Sequence, residues 1–145
     1  MTQPGKIIWQ KTITRKQVQE TRTTTYYVFG DNMARSGLGG QAASMRGEPN
    51  TIGIPTKWRP STNPKAYFHD ADLDFVGVQL AITSAFQMIE SALVAGFNVV
   101  IPANGIGTGL AKLELTAPRI FNLIKSRIAE LEAKFGTEPP AGAPK

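Results

Sequence analysis

The segment that most constrains this chain is a glycine-rich stretch in its C-terminal half, Ile101-Pro102-Ala103-Asn104-Gly105-Ile106-Gly107-Thr108-Gly109-Leu110. It follows an apolar run from Phe97 to Ile101 that predicts a buried strand, and it precedes a helix-start signal at Thr116. Alternating glycines at positions 105, 107 and 109 permit positive φ angles and let a ligand approach without meeting a Cβ. Because the N–H groups of such a loop can converge on an anion, the pattern predicts a phosphate-binding loop. A plain strand-to-helix turn, which needs only one glycine, is the alternative.

A second strand–loop–helix pattern lies nearer the N-terminus. Thr24 to Phe29 predicts a strand, the stretch from Gly30 to Gly40 is rich in glycine, and Gln41 to Arg46 predicts a short helix. Open α/β sheets bind ligands at the carboxyl ends of their strands, so the two loops together predict one site. The Walker A pattern is absent. The dinucleotide-binding fingerprint fits badly, because Ala42 stands in place of its third glycine and the next strand lacks the expected acidic residue.

Taken in order, these segments resemble the macrodomain family. Asn32, the glycine cluster after it and Gln41-Ala42-Ala43 look like the first macrodomain loop and the start of its helix. Pro102 to Gly109, a proline followed by Ile-Gly-Thr-Gly, is similar to the second macrodomain loop. Gly53 to Lys57 resembles the central strand of macrodomains of the ADP-ribosyl-glutamate hydrolase type. The resemblance runs from Tyr26 to Phe135 and implies a macrodomain-like module over residues 1–136.

What the resemblance implies about function is the binding of ADP-ribose or a related NAD-derived adenine nucleotide. The resemblance also suggests an enzymatic activity, the removal of ADP-ribose from modified targets. A non-catalytic binder, which sequesters a nucleotide signal or docks on an ADP-ribosylated macromolecule, is the alternative. A nucleic-acid-binding module is the third hypothesis.

The candidate site residues lie in and beside the two loops. Asn32 is expected to bond ribose hydroxyls or position a water, since an amide both donates and accepts; an Asx turn is the alternative. Asp31, the only carboxylate in either loop, is a candidate general base or hydroxyl ligand, and could equally cap the Gly37 loop. A side chain placed at Gly107 is expected to fill the phosphate position. The predicted ligand-binding residues are Gly37, Gly39, Gly40, Gln41, Arg46, Lys57, Asn104, Gly105, Ile106, Gly107, Thr108, Gly109 and Leu110.

Departures from the macrodomain pattern bear on catalysis. Macrodomains usually carry an aspartate near an early strand that reads the adenine amine, but Lys6 to Ile13 contains no acidic residue. In the glutamate-linked hydrolases a lysine after the first loop and an aspartate after the second do the chemistry. Arg46 or its neighbours and Ala111 stand in those places here. We therefore expect the fold and its phosphate-binding loops to be shared with macrodomains more fully than the hydrolase mechanism. Hydrolysis should accordingly be slow or absent.

Two other side chains are candidates for ligand contacts. Arg35, like Arg46, borders the first loop and could pair with phosphate, although surface arginines are more often solvated. Trp58 follows the third predicted strand and could stack on a purine or simply cover a core edge.

The rest of the chain alternates between strand and helix patterns. Lys6 to Ile13 and Thr51 to Thr56 predict strands, and a Thr14–Gln17 capping box predicts a short helix. This alternation predicts a single three-layer α/β domain with a mixed sheet between helices. Further predictions are a helix from Asp70 to Gly96, a last helix capped by Thr116 and ended by Gly136, and a proline-rich disordered tail over 137–145.

Composition narrows the classes of partner. The net charge is +5, but the basic residues are scattered without a basic run, so nucleic acid is an unlikely partner. A positive charge of this size is enough to attract a polyanionic small molecule. There are no cysteines and one histidine, His69, so no metal site and no cofactor is expected. The longest apolar segment, Ala81 to Val100, is interrupted by polar residues, and the first residues lack a signal-peptide core. We expect a cytoplasmic protein without a membrane partner.

Overall fold

In the part of the chain that the structure describes, five parallel strands form the central sheet. The computed structural model describes residues 3–140, and its strands are β1 (Ile7–Gln10), β2 (Thr25–Asp31), β3 (Thr51–Pro55), β4 (Asn98–Pro102) and β5 (Thr137–Glu138). They lie in the order β3-β2-β4-β1-β5, and every neighbouring pair is parallel. The prediction of a mixed sheet is wrong in this respect, because every connection contains a helix that returns the chain to the same end of the sheet.

Helices cover both faces of the sheet, which confirms the three-layer α/β class. The helices are α1 (Arg15–Glu20), α2 (Ala42–Met45), α3 (Val76–Val94), α4 (Leu113–Thr116) and α5 (Pro118–Phe135). α1 and α2 pack on one face, and α3 and α5 pack on the other. Short 3-10 turns at Pro64–Ala66 and Asp70–Asp74 lie in the connection before α3, and the second of them occupies the place where we predicted the start of that helix.

Alternation along the strands separates two cores. Tyr27 and Phe29 of β2 pack with Val18 of α1 and Met45 of α2. Val28, between them, belongs to the larger core that α3 and α5 share. Since successive side chains of a strand point to opposite faces, one strand contributes to both cores.

Several helix ends follow the sequence signals. Thr14 caps α1, because its side chain accepts a hydrogen bond from the N–H of Gln17 at 3.1 Å. Gly136 ends α5 with φ +83°. The prediction for Thr116 is wrong: this residue ends α4, where its hydroxyl donates to the carbonyl of Lys112 at 3.3 Å, and Ala117 precedes α5.

The start of the predicted disordered tail is ordered. Thr137 and Glu138 form β5, which pairs with Ile7 and Ile8 of β1. The pairing begins where the N–H of Ile7 donates to the carbonyl of Gly136 at 3.0 Å. The prediction is therefore wrong for the first residues of the segment, and its last five residues, 141–145, lie outside the described residues.

Among the described residues, α3 is the one helix long and apolar enough to cross a membrane by length and composition, with a mean hydropathy of 1.2. Its inner face, including Val78, Ile82 and Ile89, belongs to the core of the domain.

Candidate nucleotide-binding site

The two glycine-rich loops meet above the carboxyl ends of the strands and enclose a cavity of about 520 Å³. The loops touch each other, since a Cβ built on Gly39 would lie 3.2 Å from Cδ1 of Leu110. Gly105, Ile106 and Thr108 do not line the cavity. The predicted residues that do line it are Asp31, Asn32, Gly37, Gly39, Gly40, Gln41, Arg46, Lys57, Asn104, Gly107, Gly109 and Leu110.

Two glycines of the second loop adopt the left-handed conformation that favours glycine, with φ +96° at Gly105 and +82° at Gly107. The loop is braced by a hydrogen bond from the hydroxyl of Thr108 to the carbonyl of Asn104 at 2.6 Å. Ile106 is buried in the larger core and anchors the loop to the sheet. Gly105, Ile106 and Thr108 therefore shape the loop from behind the cavity wall.

The amides of this loop are available to a ligand. Within residues 3–140, no N–H group from Ile106 to Ala111 donates a hydrogen bond. Gly107, Gly109, Leu110 and Ala111 line the cavity. Successive backbone N–H groups without an acceptor, next to glycines in the left-handed conformation, are typical of backbone anion nests.

The expected effect of a side chain at Gly107 is wrong. A Cβ there would lie 2.8 Å from Cδ2 of Leu113, which is fully buried, so the side chain would disturb the core rather than fill a phosphate position. Gly109 behaves differently. A Cβ at Gly109 meets no atom of residues 3–140 within 4 Å, and Gly109 borders the cavity.

Gln41 ties the two loops together. Its Oε1 accepts a hydrogen bond from the N–H of Gly30 at 2.8 Å, and its Nε2 donates to the carbonyl of Gly105 at 2.9 Å. Sequence reasoning suggested Gln41 as a ligand residue but did not suggest this connection, because the distance between the loops is not visible in their sequences.

The carboxylate of Asp31 is buried and fully engaged. Its Oδ2 accepts from Nη1 of Arg35 at 3.0 Å, and its Oδ1 accepts from the N–H of Asn32 at 2.8 Å. The guanidinium of Arg46 contacts both oxygens. Gly53 on β3 makes room for this cluster, because a Cβ there would lie 2.5 Å from Oδ2 of Asp31.

Arg46 uses its remaining donors to hold the first loop. Its Nε donates to the carbonyl of Gly37 at 2.6 Å, and Nη2 donates to that of Ser36 at 3.1 Å. Arg35 similarly donates to the carbonyl of Gly53 at 2.8 Å. In this geometry Arg46 shapes the site rather than presenting a free guanidinium group to a phosphate, and Arg35 does not line the cavity.

Asn32 is 6% exposed and lines the cavity. Its Nδ2 donates to the carbonyl of Ser36 at 2.9 Å, whereas its Oδ1 is buried and accepts no hydrogen bond within the described residues. The Asx-turn alternative is not observed, because the N–H of Ala34 donates to the carbonyl of Trp58 instead. An unpaired acceptor in a buried amide is unfavourable and rare in proteins.

Lys57 is 8% exposed and lines the cavity at the end of β3. Its ammonium donates to the carbonyl of Ser61 at 2.8 Å and lies 4.5 Å from the ring centroid of Tyr67. Burial lowers the pKa of Lys57 below its ordinary value. Among residues 3–140, no carboxylate lies within ion-pair distance of this ammonium.

A model of a family of unknown function, DUF7831, matches residues 8–127. The chain belongs to this family. No curated protein and no solved structure matches the chain. The DUF7831 match begins in β1 and ends in α5, so it includes both loops and all residues that line the cavity.

Sequence reasoning missed some of the cavity wall in this DUF7831 domain. Lys11 and Ile13 line the cavity because β1 lies beside β4 in the sheet, so its carboxyl end reaches the second loop. Strand order is a non-local property, and no local signal marked these residues. Trp58 does not line the cavity: it packs edge-on against Phe68, and its Nε1 donates to Asp72 at 3.1 Å.

Proposed function

We propose that this chain binds ADP-ribose, or a closely related adenine nucleotide, in the cavity between the two loops. The observation that carries the proposal is the set of backbone N–H groups of Gly107, Gly109, Leu110 and Ala111, which border the cavity around left-handed Gly107 and donate no hydrogen bond within residues 3–140. Backbone amides in this arrangement bind phosphate oxygens without a charged side chain. The resemblance of both loops to those of macrodomains points to the same ligand.

Charge and size favour the same class of ligand. The charged residues that line the cavity are Lys11, Arg46 and Lys57 against Asp31, so its potential is positive. A cavity of about 520 Å³ lies in the usual range for small-molecule sites. Ile13 and Leu110 supply apolar surface on which a base can lie.

Binding without rapid hydrolysis is the form of the function we favour. A general base needs a free lone pair near the reacting proton, and the carboxylate of Asp31 is occupied by Arg35, Arg46 and an amide. Ala111 borders the cavity where the resemblance would require an aspartate. A protein that sequesters ADP-ribose, or docks on ADP-ribosylated macromolecules, uses this site without an acid or a base.

Calorimetry against ADP-ribose, NAD, AMP and a short oligonucleotide tests the proposal. ADP-ribose should bind, and Asn32→Ala should weaken binding by roughly 1–3 kcal/mol, the range for a lost polar partner. Asn50→Ala is the matched control, because Asn50 is also buried with an unpaired Oδ1 but lies outside the cavity. Its affinity for ADP-ribose should equal that of the wild type. Strongly salt-dependent binding of the oligonucleotide alone would instead support a nucleic-acid module.

A further inference from the structure

The cavity wall near β3 includes a buried lysine, Lys57, whose ammonium has no counter-charge among residues 3–140. Within the same residues its partners are only the carbonyl of Ser61 and the face of Tyr67. Buried charges in proteins are normally paired with an opposite charge, because an uncompensated one is strongly unfavourable. The one carboxylate among the described residues of the cavity wall, Asp31, is occupied by two arginines.

Asn32 lies at the same end of the cavity. Pairing between the chains continues beyond β2 and β3, since the N–H of Met33 donates to the carbonyl of Lys57 at 2.9 Å. Asn32 therefore sits beside the segment that carries Lys57, and its Oδ1 lacks a donor among the described residues. This end of the cavity thus offers a positive charge and an acceptor that a hydroxyl can satisfy once the amide turns toward the cavity.

The second loop lies elsewhere along the sheet edge. It follows β4, whereas Lys57 follows β3, and β2 lies between them. Two strand spacings correspond to roughly 10 Å. Adjacent phosphates of a diphosphate lie too close together to reach both places, whereas two phosphates separated by a ribose lie farther apart and leave a shorter gap for the side chain of Lys57 to close.

We propose that Lys57 forms a second anion subsite, with Asn32 beside it to accept from a ribose hydroxyl, and that the preferred ligand carries a phosphate on the far side of that ribose from the phosphate held by the second loop. The ligand class is thus a nucleotide phosphorylated at both ends of a ribose. This inference rests on the proposed function for the position of the first phosphate. The lowered pKa of Lys57 agrees with it, because an ammonium without an anion loses solvation on burial.

The experiment compares AMP with adenosine 3′,5′-bisphosphate by calorimetry, alongside ADP-ribose. The bisphosphate should bind wild-type protein roughly 10- to 100-fold more tightly than AMP, as expected for one hydrogen bond to a charged group. Lys57→Gln keeps a donor for the carbonyl of Ser61 but lacks the charge, so it should lose this preference. Lys65→Gln is the matched control: Lys65 is exposed on the same connection, outside the cavity, and its variant should keep the preference.

Stability of the ligand-free protein provides the second readout. If Lys57 is retained for a ligand, the near-isosteric Lys57→Met should raise Tm, because it removes a buried charge. A fall in Tm would assign Lys57 to holding the connection through Ser61 and Tyr67, and would overturn the inference. Equal affinities for AMP and the bisphosphate, or a preference that survives Lys57→Gln, would also overturn it. Those results leave ADP-ribose binding intact, whereas a failure of ADP-ribose to bind rejects the proposed function separately.

Discussion

The amide of Gln41 donates to the carbonyl of Gly105 across 2.9 Å, and this bond joins the two glycine-rich loops. The same side chain accepts from the N–H of Gly30 at the end of β2. The conformation of the second loop is therefore fixed partly by a residue of the first. Such bracing lowers the entropy that a loop loses when a ligand binds.

Replacement of Gln41 by Met should loosen this connection. The variant leaves the N–H of Gly30 and the carbonyl of Gly105 without their partner, which should lower the free energy of unfolding by roughly 1–3 kcal/mol. Affinity for ADP-ribose should fall as well, because the second loop is no longer braced. Urea unfolding and calorimetry measure the two effects. Gln79→Met, which removes one exposed bond to the carbonyl of Leu73 far from the cavity, should leave affinity unchanged.

Gly107 and Gly109 should respond in opposite ways to substitution. Gly107→Ala places a Cβ against Leu113 at positive φ, so the free energy of unfolding should fall by roughly 1–3 kcal/mol. Gly109→Val meets open space, so stability should hold while affinity for ADP-ribose falls at least about tenfold (~1.4 kcal/mol). Gly77→Val on α3, which also meets open space but lies outside the cavity, is the control. A stable Gly109→Val protein with full affinity would remove the second loop from the site.

Local signals in the sequence were enough to predict the strands, loops and helix ends that position the site. The apolar run before the second loop became β4, and Gly105 and Gly107 have the positive φ that their place in a strand-to-helix loop suggested. Thr14 and Gly136 mark helix ends for reasons that lie within one turn of the chain. Each of these features depends on residues close together in sequence.

What the sequence could not reveal depends on strand order and register. Phe29 pairs with Gly53, and this register brings the missing Cβ of Gly53 beside Asp31. Arg46, directly after α2, then completes the cluster. A residue that we predicted to bind phosphate therefore holds the first loop in place instead. The parallel pairing of β5 with β1 is likewise a contact between the two ends of the chain.

The stability of the protein should depend on pH through Lys57. Burial lowers the pKa of Lys57 in the folded protein, whereas in the unfolded chain it is about 10.4. Between these two pKa values the unfolded chain binds more protons at this residue, so the free energy of unfolding rises with pH across that interval. The difference in unfolding free energy, wild type minus Lys57→Met, should therefore increase as the pH approaches about 10.4.

Urea unfolding at several pH values measures this difference. Burial raises the pKa of Tyr27, which also titrates in the alkaline range, but Tyr27 is common to both proteins and its contribution cancels. A difference that stays constant with pH would show that Lys57 has the same pKa in the folded and unfolded chains.

The last prediction separates a binder from a hydrolase. Asp31 is the only carboxylate among the described residues that line the cavity, and its oxygens are held by Arg35, Arg46 and the N–H of Asn32. General acid–base catalysis contributes roughly 10²–10⁴ in rate, so its loss should leave slow turnover or none on carboxylate-linked ADP-ribose. Binding should remain, because the amides of the second loop do not depend on a base.

Release of ADP-ribose from a substrate modified on Glu or Asp is the assay, with Asp31→Asn as the variant because it preserves the shape of the side chain. Binding without release by wild-type protein is the expected result. Asp31→Asn should instead weaken the clamp on the first loop and lower stability, since both arginines lose a charged partner. Fast cleavage that persists in Asp31→Asn would refute this account, because the chemistry would then come from groups that the geometry assigns to shape and binding.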